Sequence, residues 1–584
     1  MRPGIPLLRS LLGRPRGGGG DGSAPTVEIT GQVAGQLPGL RGQMFGGGTG
    51  IGGSVAGILP GLVGAAGSSP VTSARSRASM NIPWLTYYDS CVHGLDLGWQ
   101  RSDWGYGGGE NLALDANGWP RSVVAGSGQY AGFQARVLYP GPHVALYQGD
   151  GDISVDFGGS ILSSAPGRYV LQLDGANDGD VINRVGILIT RSNVSNPVRN
   201  LVVVPIANET DYATKLFNPR FMETLAPFGV LRMLDMQQIN NIDRLGSSET
   251  TPDLSRAVTD WSTRTTAGYA LQARRQGASN ELLIDMCRLN NSHLWFQVPL
   301  FATTNWCDGM AGLCASYAPP WMHFFFAYGN EQWNDAFYNG GDAMRLGISR
   351  YGLPNEYDTR FGYQAIMGRY MRQAMLNAGI APSRLHHVLE SQVGYVLRNE
   401  ILRDWQYTVG PFTDGTRAWQ YADFMAVAPY FGHDRGDNPL TMSETIPQTI
   451  ARIAAEDIPP VIADFQASVA AAAVHNLPMA CYEGGQHLYN SDFGNTALQA
   501  RLNDINRHAN MYGLLYNWLN SVHASSVRSS GPNGPIVAYH HAGDFSQWGR
   551  WGWMEDIRQI INAVPRQCPK MDALVQWNLD HVGT

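Results

Sequence analysis

A chain of 584 residues with 44% apolar and 15% charged side chains is globular and too long for one simple core, so two or three folding units are expected. A net charge of −7, with no basic run beyond the first sixteen residues, excludes nucleic acid as the main partner. No apolar stretch is long enough to make a transmembrane segment, and the six scattered cysteines include no Cys-x-x-Cys pair, which excludes a zinc ribbon.

Residues 1–78 are rich in Gly, Ala, Pro and Ser, and Phe45 is their only aromatic. Alone, such a segment buries too little apolar surface to offset its ordering entropy, so it is either flexible or anchors the chain in a larger assembly. Met1 to Arg16, broken by Pro3, Arg9 and Arg14, makes a poor signal peptide. Other export routes and phage particles need none, and an extracellular, cell-surface or phage-particle location is expected.

Residues 79–111 hold a first strand, at 81–88, and a loop heavy in Trp and Gly, with Trp99, Trp104 and Gly107 to Gly109. Aromatic rings in such a loop suit the C–H faces of sugars, or pack on one another. From 112 to 205 the texture changes to short alternating runs, with strands predicted at 144–147, 153–157, 169–173, 185–190 and 201–204. Asp115-Ala-Asn-Gly118 predicts a hairpin turn, and residues 174–180 an acidic one. This block reads as a small β-sandwich inserted after the first strand.

From 206 to 566 helix and strand alternate. Asn218-Pro219 predicts a helix start, with Asn as cap and Pro at the first helical position. Strands are predicted at 230–236, 294–300, 324–328, 387–390, 425–431, 478–482 and 535–539. With the strand at 81–88 these make eight. Such alternation implies an α/β fold with a parallel sheet, and eight units imply closure into a (β/α)8 barrel. Residues 567–584 read as a C-terminal extension packed on the outside. Cys307 and Cys314 either bridge within one loop or remain free thiols.

Two of the predicted strands end alike. The run 323–328 stops at Gly329 and is followed at once by Asn330, Glu331, Trp333 and Asn334. The run 479–482 stops at Glu483, followed by Gly484, Gly485, Gln486 and His487. A carboxylate just beyond the carboxyl end of a barrel strand lies where such barrels keep their chemistry, and the glycines let the backbone turn away from it. Two such glutamates meet the need of glycoside hydrolysis, in which one protonates the departing oxygen and the other attacks the anomeric carbon or activates water.

Tyr328-Gly-Asn-Glu-Gln-Trp-Asn334 and Tyr482-Glu-Gly-Gly-Gln-His487 resemble the acid/base and nucleophile motifs of clan A glycoside hydrolases, over roughly residues 80–566. The resemblance implies a retaining enzyme with Glu331, after the fourth strand, as acid/base and Glu483, after the seventh, as nucleophile, their carboxyl groups about 5–5.5 Å apart. It further implies that Asn330 donates to a sugar hydroxyl, while Arg232 on the second strand and Tyr430 after the sixth hold Glu483 in its charged form. Trp84, Trp306, Trp333, Trp548 and Trp551 are candidate sugar platforms. His433 and His487, at strand ends, are candidates for bonding sugar hydroxyls. The histidines match no metal-ligand spacing, and neither metal nor cofactor is expected. The expected partner is a poly- or oligosaccharide substrate. A different class remains open: a glycan-binding or structural subunit of a larger particle.

Overall fold

The computed structural model describes residues 28–29, 55–56 and 77–583, apart from 108–111, 179–180, 246–250 and 336. Glu28–Ile29 and Val55–Ala56 pair antiparallel. The expectation of assembly through residues 1–78 otherwise falls outside the described residues. No helix among those described is long and apolar enough to cross a membrane.

Eight parallel strands close into a barrel: β1 Ala78–Asn81, β2 Val230–Arg232, β3 His293–Val298, β4 Phe324–Tyr328, β5 Leu385–Glu390, β6 Phe424–Val427, β7 Met479–Cys481 and β8 Ile536–Ala538. β8 returns to β1 through the pairs Ile536↔Ala78 and Ala538↔Met80. Helices between successive strands cover the outside. The predicted (β/α)8 fold is therefore present. The strand predicted at 81–88 is displaced: β1 ends at Asn81, and the aromatic residues after it line the rim as a loop.

Strand alternation sorts the side chains into two cores. Outward-facing Met80, Leu231, Phe296, Phe326, Met425 and Ile536 pack under the helices. Inward-facing Val230, Trp295, Phe325, Val388, Phe424 and Val537 fill the barrel as a separate cluster. One step of two residues further along β2 and β5, the inward positions are Arg232 and Glu390, both buried. The barrel thus carries an apolar floor and a polar top layer, a consequence of the period-two pattern.

Between β1 and β2 the chain builds two antiparallel sheets. One runs Ala176–Asp178, Val181–Ser192, Tyr130–Arg136, Gly105–Gly107, with Gly151–Phe157 also paired to Val181–Ser192. The other runs Arg199–Pro205, Gly141–Gln148, Arg168–Leu173, Gly159–Ala165. Their shared core includes Trp119, Phe133, Tyr147, Leu171, Ile187 and Val203. Gly105–Gly107, read from sequence as part of the loop after the first strand, is an edge strand of the first sheet. Arg136 ties this domain to the barrel, donating to the Tyr88 carbonyl at 3.1 Å and to Asp544 at 3.2 Å.

Residues 567–584 contain the helix Pro569–Asp580, which follows β8 in the outer ring. Its Met571, Leu574 and Trp577 are fully buried, and Asn578 donates to the Ala78 carbonyl of β1 at 3.3 Å. Cys307 and Cys314 lie on one helix, Thr304–Tyr317, and both are free thiols. Seven helical residues separate them by about 10 Å along the axis, beyond the reach of a disulfide.

Candidate active site

Glu331 and Glu483 leave β4 and β7 on the same face of the barrel, and their carboxyl groups come within hydrogen-bonding reach of each other. Both are buried, at 7% and 6% exposure. The turns that deliver them depend on the residues flanking them. Gly329 adopts φ 58°, and a Cβ there would sit 2.1 Å from the Gln332 amide nitrogen. Glu331 itself adopts φ 46°, a left-handed conformation that costs a non-glycine residue about 1–3 kcal/mol and concentrates at functional sites. Gln332 holds the turn by donating to the Tyr328 carbonyl at 2.8 Å, and Arg360 donates to the Gln332 carbonyl at 2.7 Å. After β7, Gly485 takes φ 138°, and a Cβ on Gly484 would press to 3.0 Å from the Trp518 ring.

Arg232 is the electrostatic hub. Fully buried, it donates to Glu483 at 3.0 Å, to both oxygens of Glu390 at 3.1 and 3.2 Å, to the Asn330 side-chain oxygen at 3.0 Å and to Asn81 at 3.3 Å. Gln297 donates to Glu390 at 2.7 Å. Glu390 is the residue that sequence reasoning missed. It ends β5 with no glycine after it, so nothing in the local pattern separates it from an ordinary strand end. Asp235, three residues beyond Arg232, is bonded by Tyr539 and feels the charges of both Glu483 and Arg232. Burial and the Glu483 charge push Asp235 up to about 7.

The two glutamates differ in their surroundings. Burial first, then the charge of Glu483, pushes Glu331 up to about 8, against the hydrogen bond from Asn334 at 2.7 Å and the charge of Arg232. Burial also raises Glu483, but Arg232 and a hydrogen bond from the Tyr430 hydroxyl oppose the rise. One cation facing this pair favours a single shared negative charge, held on Glu483, with the proton on Glu331.

This distribution predicts a pH-dependent stability. The folded pKa of Glu331 lies above its unfolded value of 4.5, so the folded form binds the extra proton and stability falls as pH rises from 4.5 through about 8. Glu331→Gln removes the titration. Thermal melts are expected to show the variant near wild type at pH 5 and about 2 °C or more above it at pH 9. Parallel curves at both pH values would contradict the assignment.

The remaining predicted site residues divide into two groups. Asn330 is buried, with its oxygen on Arg232 and its nitrogen 3.3 Å from Asn240. Half-buried Tyr430 lines the cleft, with its ring 5.8 Å from that of His487. His487 contacts His433 at 4.2 Å and Trp551 at 5.4 Å, forming an aromatic wall beyond β6 to β8. The His487 Nδ1 is buried with no hydrogen-bond partner among the described residues. Trp333, two residues past Glu331, and Trp548, packed on Phe493 at 4.7 Å, are half-buried at the rim. Trp306 does not join them. It is buried on the helix Thr304–Tyr317 against Trp261 and Phe296, because the predicted strand-end position is the first turn of that helix.

No family model matches the chain, and no curated protein does. Among solved structures it is similar to a 4-O-α-L-rhamnosyl-β-D-glucuronidase from Fusarium oxysporum 12S, at 11% identity and TM-score 0.34 over 61% of this chain and 62% of that one. It is similar to an α-L-arabinofuranosidase from Thermotoga maritima, at 11% identity and TM-score 0.30 over 57% and 60%. A xylanase from Cellvibrio japonicus matches at 9% identity and TM-score 0.30 over 84% and 100%. The chain thus spans less than two thirds of the length of the first two.

Proposed function

We propose that the protein is a retaining glycoside hydrolase that cleaves a poly- or oligosaccharide by double displacement. The observation that carries this reading is the facing pair Glu331 and Glu483, the first pushed up by burial and the second ion-paired to Arg232. In the first step Glu331 gives its proton to the glycosidic oxygen while Glu483 attacks the anomeric carbon, and the C–O bond to the leaving group breaks. The glycosyl ester on Glu483 carries no charge. The Coulombic part of the push on Glu331 is then gone while burial, the larger cause, remains; the carboxylate left by the first proton transfer is a stronger base than an exposed one and takes a proton from the attacking water. Water attacks the anomeric carbon, Glu483 departs as carboxylate, and Glu331 is again protonated. On this reading Asn330 donates to a sugar hydroxyl through a bond that strengthens in the transition state, and the wall of Trp551, His487 and His433 holds the ring.

Glu331→Gln tests the acid role. With aryl glycosides whose leaving groups span a range of acidity, the variant is expected to lose about 10²–10⁴-fold on the least acidic leaving groups and little on the most acidic. A uniform loss across the series would remove the acid role. Mechanism-based labelling with fluorinated or epoxide sugars, followed by peptide mapping, is expected to place the sugar on Glu483.

A further inference from the structure

A second cavity opens on the same rim of the barrel, between the loops after β1 and β2 and the inserted domain. Its volume is about 280 Å3, and its lining includes Trp84, Tyr87, Tyr88, Arg101, Arg274 and Arg275. Trp84 lies three residues past Asn81, the end of β1 and a partner of Arg232. Gln238, also in the lining, lies three residues past Asp235. The loops that line the cavity thus continue directly from the strands that carry Asn81 and Arg232.

Its charge runs against that of the whole chain. Three arginines and one carboxylate, Asp103, line it in a protein of net charge −7. Arg101 is 2% exposed, lies over the Trp104 ring at 3.9 Å and donates to the Ser102 carbonyl at 2.9 Å. Among the described residues no carboxylate forms an ion pair with it. Burial lowers it to about 10, the mark of a cation short of compensation. Half-buried Arg274 stacks on Tyr269 at 3.9 Å, with no acidic partner among the described residues. Arg275 reaches Asp243 only at 3.6 Å, and Arg256 takes the same oxygen at 3.1 Å. Guanidinium forks match planar carboxylate and sulfate oxygens, and the neighbouring rings offer apolar faces to a sugar.

We infer that this cavity binds the anionic group of a sugar unit, a carboxylate or a sulfate ester, so that the substrate is an acidic glycan. Naming the ligand a glycan rests on the hydrolase reading; the anion site itself does not.

The test uses the full chain carrying Glu483→Gln, so that turnover does not enter. Glucuronate, galacturonate and glucose 6-sulfate are titrated against it by calorimetry, with glucose and galactose as uncharged controls. At least one anionic sugar is expected to bind about tenfold or more tighter than its uncharged parent, weakening in about 0.5 M salt. The uronate and sulfate arms tell the two anions apart. Adding Arg274→Gln with Arg275→Gln, one half-buried and one exposed, is expected to erase that preference. Equal binding of charged and uncharged sugars, or a preference that survives the arginine changes, would overturn the inference. Anion binding without any glycan turnover by the wild type would keep the pocket and remove the hydrolase. Turnover without anion preference would do the reverse.

Discussion

Glu483→Gln is expected to lower turnover by about 10⁴-fold or more while leaving the melting curve close to wild type at neutral pH. Gln keeps the shape of the side chain and can still accept from Arg232 and Tyr430 through its carbonyl oxygen. It cannot form the glycosyl ester, so the route through the covalent intermediate closes. Circular dichroism and a melt establish that the fold survives. Steady-state kinetics on a glycan that the wild type cleaves then measure the loss. A variant with more than about a tenth of wild-type kcat would transfer the nucleophile role elsewhere, and Glu390, Asp235 and water activation would be the candidates left. The same variant should lose the labelled peptide in mass spectrometry.

Arg232→Met should have the largest effect on stability. Arg232 is the only cation in contact with the buried Glu483 and Glu390 among the described residues, and both ion pairs are about 3 Å long. Removing it leaves two buried carboxylates uncompensated, a change that costs about 3–5 kcal/mol per broken buried pair. The loss should be greatest near pH 7 and smaller near pH 5, because burial without Arg232 raises both carboxyl groups and protonation relieves the charge. Combining Arg232→Met with Glu390→Gln removes one of the stranded charges, so the double variant should be more stable than Arg232→Met alone. A double variant less stable than either single would mean that Glu390 stabilises the barrel by another route. Urea unfolding at the two pH values measures all of this.

Much of this arrangement is legible in the chain, for reasons that can be located. Phe324–Tyr328 is a run of five apolar residues cut off by a glycine, and its boundaries are read correctly because nothing polar interrupts it. Glu331 and Glu483 stand out because a glycine beside a strand end signals a turn forced by the backbone. The helix at Asn218-Pro219 forms as its cap predicts, with the Asn218 side chain accepting from the Arg220 amide at 2.9 Å. Other features have no local mark. Gly159–Ala165 is an exposed edge strand with three Ser among its seven residues, a composition that reads as loop. The aromatic residues from 84 to 88 resemble a buried strand, yet they line a cavity, since apolar composition alone does not distinguish a strand from a loop pinned at a domain junction. Glu390 and Trp306 show the limit most clearly. Whether a side chain faces the barrel mouth or a helix depends on a register that only the assembled fold supplies.

The seam between β8 and β1 has a consequence for how the molecule is made. The contacts that shut the circle join residues about as far apart as the described chain allows: Arg77 to Gly534, 457 positions on, and Ala78 to Asn578, 500 positions on. A ribosome delivers the first of each pair long before the second. Until β8 emerges, β1 has an open edge and must wait beside the inserted domain. Contacts of such long range are slow to form and leave strand edges bare in the interval. The insertion of a self-contained unit directly after β1 gives the waiting strand a folded neighbour, with Arg136 holding the loop beyond it through the Tyr88 carbonyl.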